Sequence, residues 1–95
     1  MRIRWLRAAL QNLDAEADFI ALDDPLVARQ VVKRILAAVV LLAEHPGLGR
    51  PGRVAGTREL VVPKTRYLVP YRVQNHEIII LRVFHTSRRT PKRWS

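Results

Sequence analysis

The spacing of hydrophobic residues changes along the chain, from a period near 3.6 residues to a period of two. Between Leu6 and about Asp23, apolar side chains recur every three or four positions, with Gln11, Asp14 and Asp18 between them. This spacing predicts an amphipathic helix. Its apolar face is formed by Leu6, Leu10, Leu13, Ala17 and Ile20.

A second helix is predicted from Pro25 to about Glu44. Asp24 has a side chain suited to capping a helix, and proline fits the first helical position, where its missing N–H removes no bond. From Ile35 to Ala43 every residue is apolar. Because a helix that is apolar all round must be covered on most sides, we expect the first helix, a sheet and, beyond those, another chain to cover it.

The second half of the chain alternates between apolar and polar residues, which predicts strands. Residues 46–56 hold all four glycines and two of the six prolines, so this segment is predicted to be a loop. Pro70 removes a donor from the middle of a strand, and we therefore expect a bulge or an open edge there. The predicted strands are Arg2–Trp5, Arg58–Val62, Arg66–Val73 and Glu77–His85, with Tyr67, Val69, Tyr71 and Val73 on one face.

The predicted element order is β-α-α-β-β-β. Helices of this length and strands of about eight residues both extend roughly 26–28 Å, so a helical hairpin fits across one face of a sheet. The sequence therefore predicts an α+β fold, in which the hairpin packs on one face of a twisted, mostly antiparallel four-stranded sheet. The opposite face of the sheet is then the expected place for function.

The chain's size and composition limit its class. With 95 residues and 48% hydrophobic content, it is expected to form a single domain, residues 1–95. It has no cysteine, which excludes disulfides and thiolate chemistry. The N-terminus lacks the apolar core of a signal peptide, and the longest apolar run is too short to cross a bilayer, so we expect a cytoplasmic protein with no membrane partner.

Positive charge is concentrated in the second half of the chain. Residues 1–48 carry six basic and six acidic side chains, whereas residues 49–95 carry eleven basic and two acidic ones, so that 11 − 2 = +9 is the whole net charge. A basic C-terminal tail, residues 88–95, contributes four of these cations. This asymmetry indicates an anionic partner, such as a phosphate backbone or an acidic protein.

Three segments of the second half resemble those of the RelE/ParE toxin superfamily, most specifically its ParE-like branch. They are Gly49–Pro63, Val69–Val73 and Leu81–His85. The resemblance implies a bacterial toxin of a type II toxin–antitoxin pair, held in a hetero-oligomer by an acidic cognate antitoxin. It also implies a target, which is DNA gyrase for ParE-like members and mRNA on the ribosome for RelE-like members.

A metal-free ribonuclease needs a proton-transfer group and cations that stabilise the phosphate in the transition state. If the chain is a nuclease, His85, Arg58, Arg66 and Arg88 are its candidate catalytic residues. No metal site is predicted, because the three histidines have no ligand spacing, and no cofactor is implied. The residues predicted to bind the target or nucleic acid are Arg58, Arg66, Tyr71, Arg72, Arg82, His85, Arg88 and Arg89.

The same side chains also have structural roles open to them at this point. Tyr67 and Tyr71 are expected to pack within the sheet unless one of them stacks on a base. The strand arginines are expected either to pair with Glu59 or Glu77 or to contact a ligand.

One position separates the two branches. Ribonuclease members of the superfamily carry a catalytic arginine three residues before the tyrosine that Tyr71 matches, and this chain has Leu68 there. We therefore interpret the chain as a ParE-like toxin that inhibits DNA gyrase without catalysis. A ribosome-dependent mRNA endoribonuclease is the alternative, and a non-toxic basic nucleic-acid-binding domain is a third interpretation.

Overall fold

The computed structural model describes residues 1–87 and forms two layers, a helical hairpin and a sheet. Two α-helices lie on one face of the sheet, as predicted. The basic tail, residues 88–95, lies outside the described residues. In chain order the elements are β1 (Arg2–Trp5), α1 (Arg7–Ala21), α2 (Pro25–Val40), a 3-10 turn (Leu41–Ala43), β2 (Arg50–Pro51), β3 (Arg58–Val61), β4 (Tyr67–Gln74), β5 (Glu77–Ile80) and β6 (Phe84–His85).

The sheet has six strands in place of the predicted four. Its order is β1-β5-β4-β3-β2, and β6 also pairs with β4. Two differences raise the count: the glycine-rich loop contains the two-residue strand β2, and the predicted last strand is split into β5 and β6. β1 runs parallel to β5, whereas every other pair is antiparallel, so the sheet is mixed.

The break between β5 and β6 is a bulge opposite Pro70. Tyr71 faces Ile80 and Leu68 faces Phe84, so two residues of β4 lie opposite the three residues 81–83. The carbonyl of Pro70 still accepts a hydrogen bond from the N–H of Leu81 at 3.0 Å. The irregularity predicted from the missing proline N–H is therefore present, and it is what divides the last strand.

The ends of α2 follow the sequence signals. Asp24 caps the helix, since its carboxylate accepts from the N–H groups of Leu26 at 3.0 Å and Val27 at 3.3 Å, and proline occupies the first turn. The helix ends at Val40, earlier than predicted, and the chain continues as the 3-10 turn. Just beyond this turn, the carbonyl of Pro46 accepts a hydrogen bond from the Tyr71 hydroxyl of β4 at 2.7 Å.

The core lies between the hairpin and the inner face of the sheet. Tyr67, Val69 and Tyr71 point into it from β4, as the period of two predicts. Ile3 and Trp5 of β1 pack against the same cluster. α1 is also tied to the bulge, because the side-chain oxygen of Asn12 accepts from the N–H of Val83 at 3.1 Å.

The apolar second half of α2 is only partly covered. Ile35 and Val39 are buried, but Leu36, Val40 and Leu41 keep 42%, 64% and 53% of their surface exposed. Among the described residues, neither helix has the length and apolarity needed to cross a membrane. Residues 1–87 therefore do not bury the whole apolar surface of this segment.

Candidate functional site

A buried tyrosine organises the segment that connects α2 to β3. The Tyr71 side chain is fully buried, and its hydroxyl donates to the carbonyl of Pro46 at 2.7 Å and accepts from the N–H of Gly49 at 2.9 Å. A Cβ on Gly49 would lie 2.6 Å from Cε1 of the Tyr71 ring. Glycine is required at this position because the backbone passes directly against the ring.

The same segment closes around a buried carboxylate. Glu59 is 1% exposed, and its side chain accepts from the guanidinium of Arg50 at 3.3 Å and from the N–H of Arg53 at 3.0 Å. Because a buried carboxylate must be paired, these contacts hold β2 and the following loop onto β3. Segment Gly49–Pro63, on which the resemblance chiefly rests, is thus a structural framework built around Tyr71 and Glu59.

We expect Gly49→Ala to destabilise the fold by about 1–3 kcal/mol, because the added methyl group overpacks the Tyr71 ring. Chemical denaturation of the purified chain measures this loss. Gly47→Ala is the matched control, since a Cβ at Gly47 meets no atom within 4 Å. Equal stability of the two variants would show that the loop yields freely and does not depend on this packing.

The sheet surface turned away from the helices, here called the open face, carries rows of arginines. Across β4, β5 and β1, Arg72, Ile79 and Arg4 form one row, and Gln74, Glu77 and Arg2 form the next. A further row contains Pro70, Glu59 and Arg50. The only acids in these three rows are already paired, Glu77 with Arg4 at 3.6 Å and Glu59 with Arg50 and Arg53. The open face is therefore positively charged.

Two of the predicted target-binding residues have defined places relative to this face. Arg72 lies on it, and its Nε is buried with no hydrogen-bond partner within the described residues. Arg82 lies in the bulge, where its guanidinium donates to the carbonyl of Leu81 at 2.6 Å.

Tyr71 and Arg58 lie elsewhere, and both serve the framework. The Tyr71 ring is inside the core and unavailable for stacking on a base, so packing is its role in this structure. The Arg58 guanidinium donates to the carbonyl of Gly49 at 2.7 Å.

His85 lies on the helix side of the sheet. Its ring meets Tyr67 edge-on with centroids 5.2 Å apart, and its Nδ1 is 2.7 Å from the hydroxyl of Ser87. Tyr67 in turn donates to the carboxylate of Glu16 on α1 at 2.9 Å. His85 and Arg72 therefore point to opposite faces of the sheet.

The candidate nuclease residues are only partly brought together. Arg66 is adjacent to His85, since its carbonyl accepts from the N–H of Thr86 at 2.6 Å. Arg58 faces Tyr71 while His85 faces Tyr67, so about 13 Å of β4 separates their positions. Arg88 and Arg89, also predicted as site residues, lie outside the described residues.

The sequence did not reveal four of the arginines at the open face, which are Arg2, Arg4, Arg50 and Arg53. The alternation of Arg2 and Arg4 with Ile3 and Trp5 indicated a strand, but only the parallel pairing of β1 with β5 places these arginines beside Arg72. A charge count by halves assigned β1 to the neutral part of the chain. Within residues 1–87, no group of three or more histidine and acidic side chains is arranged to hold a metal ion.

Comparison with known proteins places the chain among toxins. Residues 3–90 match the family model described as the ParE toxin of type II toxin–antitoxin systems, parDE. A Sinorhizobium fredii protein named as a candidate toxin, Y4kP, is 46% identical over 91 residues, which cover 96% of this chain and 94% of the relative.

Two solved structures share the fold. A chain of the chromosomal ParDE toxin–antitoxin system from P. aeruginosa superposes with a TM-score of 0.82 at 34% identity, covering 92% of this chain and 97% of that one. A chain of the toxin–antitoxin complex RelBE2 from Mycobacterium tuberculosis gives a TM-score of 0.59 at 25% identity, covering 88% and 95%.

Proposed function

The chain belongs to the ParE family of toxins of type II toxin–antitoxin systems, and on that basis we propose that it arrests bacterial growth by binding DNA gyrase, with no catalysis of its own. The observation that carries this proposal is the environment of Leu68. The resemblance places the catalytic arginine of the ribonuclease members at this position. Here the side chain is 1% exposed.

The surroundings of Leu68 are apolar as well. Its register partners on the two neighbouring strands are Val61 and Phe84. A phosphoryl-transfer transition state needs preorganised cations around the reacting phosphate. The packing of a leucine between a valine and a phenylalanine supplies none, and this supports a toxin that acts by binding.

The open face is the proposed contact surface for the target. Arg2 and Arg4 on β1 and Arg72 on β4 present guanidinium groups on either side of β5, and both acids in the rows are already paired with arginines. Arg72 is half-buried on this face, and the accessible part of its guanidinium can contact an anionic or carbonyl group of the target. An acidic protein surface or the phosphates of gyrase-bound DNA has this chemistry.

The partner proposed to keep the toxin inactive is an acidic antitoxin. The structural relatives are chains of toxin–antitoxin systems, and the net charge of +9 favours an acidic partner. Binding of that partner to the native toxin neutralises charge and covers exposed apolar surface.

Expression in a bacterium, with and without the adjacent reading frame, tests the proposal. We expect growth arrest by the chain alone, accompanied by SOS induction and nucleoid defects, and rescue when the neighbour is co-expressed. Translation arrest with mRNA cut at the ribosome would instead identify a ribonuclease. Harmless expression, combined with steeply salt-dependent binding to random duplex, would identify a plain nucleic-acid-binding domain.

One observation favours the ribonuclease as the second candidate. His85 and Arg66 are neighbours at the end of the sheet, and the fold also matches a chain of the RelBE2 complex. In that case His85 transfers a proton and Arg66 contacts the phosphate.

His85→Ala separates the two candidates. We expect the variant to stay fully toxic, because a gyrase-binding toxin has no need of a proton-transfer group. A nuclease would lose activity by about 100-fold or more. Growth after titrated induction measures the difference, with thermal melting as a check on folding, and Arg72→Glu on the open face is the comparison variant expected to lose toxicity.

A further inference from the structure

The two layers of the fold carry net charges of opposite sign. In the helical layer, residues 6–44, four basic and six acidic side chains give 4 − 6 = −2. In the sheet and its loops, residues 1–5 and 45–87, nine basic and two acidic side chains give 9 − 2 = +7. A polyanion therefore attracts the sheet side of the molecule and repels the helical side, which orients the chain before contact.

Every cation in the three rows of the open face is an arginine. Arg2 and Arg4 are exposed and lie two residues apart on β1, a separation of about 6.6 Å. Arg72, which is half-buried, lies two strands from Arg4, about 9.6 Å across the sheet. Each strand of a DNA duplex carries a phosphate about every 3.4 Å along its axis, so an array of this width spans roughly three phosphates. The planar guanidinium also suits phosphate, because it donates two parallel N–H bonds to it.

The acids of the open face leave this array its positive charge. Glu77 pairs with Arg4 at 3.6 Å, but the Arg4 side chain is 53% exposed. Because so exposed an ion pair is weak, a phosphate can replace Glu77 as the partner of Arg4. Glu59 is a single carboxylate between two guanidinium groups, those of Arg50 and Arg53, so that corner of the face also keeps an excess of positive charge.

The arginine rows offer a protein partner no apolar anchor. Pro70 and Ile79, the apolar residues of the three rows, are both buried. Of the twelve large apolar side chains that stay exposed among residues 1–87, eight lie on the helical layer. A protein–protein interface is centred on aromatic or aliphatic anchors, whereas a protein–DNA interface is polar and strongly cationic. The open face has the character of the second kind.

We propose that the open face lies against the phosphate backbone of the DNA that gyrase holds, so that the toxin contacts the nucleic acid as well as the enzyme. This inference rests on the proposed gyrase target and names what the open face binds there. Arg2 and Arg4 contact successive phosphates from β1, and the accessible part of the Arg72 guanidinium contacts a further one. Because phosphates are the same at every base pair, these contacts position the toxin without selecting a sequence.

Removal of the two exposed arginines of β1 tests this contact. The double variant Arg2→Gln with Arg4→Gln is expected to bind the gyrase–DNA complex about 30-fold more weakly at about 0.15 M salt. The slope of log affinity against log salt concentration should fall in magnitude by about 1.8, because each phosphate contact contributes about 0.9. Its affinity for gyrase without DNA should equal that of the wild type. The measurement is fluorescence anisotropy of the labelled full chain, titrated with gyrase alone or with gyrase bound to a linear duplex, over a range of KCl concentrations.

Arg29→Gln with Lys33→Gln is the matched control, because it removes the same charge from exposed side chains of α2, on the other layer. We expect its affinity for the gyrase–DNA complex to stay within about threefold of the wild type, since charges more than a Debye length from the DNA are screened. Arg72→Gln is the second open-face variant. It loses one contact and should weaken binding about fivefold at the same salt concentration. Thermal melting of each variant checks that it is folded.

Each other outcome overturns either the DNA contact or the target. An equal loss of affinity for gyrase without DNA, in the β1 double variant, would replace the DNA with an acidic surface of the enzyme. Wild-type affinity in that variant and in Arg72→Gln would remove the open face from the interface, and an equal loss in the α2 control would reduce the effect to overall charge. Failure of the wild-type chain to bind gyrase in either form would instead refute the gyrase target itself. Equally tight binding to the free duplex would identify a plain nucleic-acid-binding domain.

Discussion

Tyr71→Ala is expected to remove about 3–5 kcal/mol of the free energy of unfolding, as large aromatic truncations in a core do. The ring is fully buried, and its hydroxyl also bonds the backbone at Pro46 and Gly49. A domain of this size has only about 5–15 kcal/mol of stability in total. The variant should therefore melt far below the wild-type temperature in a thermal scan and lose its toxicity through unfolding.

Tyr71→Phe distinguishes this structural role from target binding. It keeps the ring but leaves the carbonyl of Pro46 and the N–H of Gly49 without their partner, at an expected loss of about 1–3 kcal/mol. We expect a folded, less stable and still toxic chain. A variant with wild-type stability and no toxicity would instead place Tyr71 at the target, contrary to its position in the core.

The position of Tyr71 illustrates which features of the sheet the sequence could reveal. The period of two correctly placed Tyr67, Val69 and Tyr71 on the helix side. It could not show that the Tyr71 hydroxyl anchors the chain at Pro46 and Gly49, because these residues are more than twenty positions away in the sequence. The glycines of the loop indicated irregular backbone, and only the packing shows that Gly49 is needed for contact with a ring.

Strand pairs between residues far apart in the sequence could likewise not be predicted from local patterns. Both helices and the position of the bulge at Pro70 follow from local signals, since caps, period and a missing N–H are properties of neighbouring residues. β2 is two residues long and has no pattern of its own. It pairs with β3, and Arg50 binds Glu59 across the two strands. The parallel pairing of β1 with β5 joins residues more than seventy positions apart, which no local pattern encodes.

Antitoxin binding is expected to produce the second large effect, a rise in melting temperature. A partner that binds only the native state at about 1,000 times its dissociation constant stabilises it by about 4 kcal/mol. For a chain of this length, each kcal/mol shifts the midpoint by roughly 4–8 °C, so we expect a rise of roughly 15–30 °C. The physical reason is that the proposed partner binds only the native state, which leaves Val40, Leu41 and Leu48 exposed for it to cover.

Scanning calorimetry of the chain with and without the product of the adjacent reading frame measures this rise. An unrelated acidic protein of similar size is the control for general charge effects, and it should leave the midpoint within a few degrees. Equal melting temperatures for the free chain and the mixture would contradict the proposed partner.

The distribution of charge along the sequence indicated an anionic partner, but it did not show where the cations lie in the fold. The count by halves correctly found that residues 49–95 hold the excess, yet pairing in space changes its meaning. Arg50 and Arg53 are engaged with Glu59, while Arg2 and Arg4 of the neutral half join Arg72 on the open face. The cations of the open face therefore come from both halves of the chain, and Glu77 and Glu59 each pair with some of them.

We propose that this toxin acts by binding gyrase and not by cutting RNA. The most direct measurement is supercoiling of relaxed plasmid by purified DNA gyrase, with the wild-type chain and the His85→Ala and Arg72→Glu variants added at increasing concentration. We predict inhibition at micromolar concentration by the wild-type chain and by His85→Ala, and a large loss of inhibition for Arg72→Glu. Unchanged supercoiling at micromolar wild-type toxin, together with cleavage of mRNA on ribosomes by the same preparation, would contradict the claim.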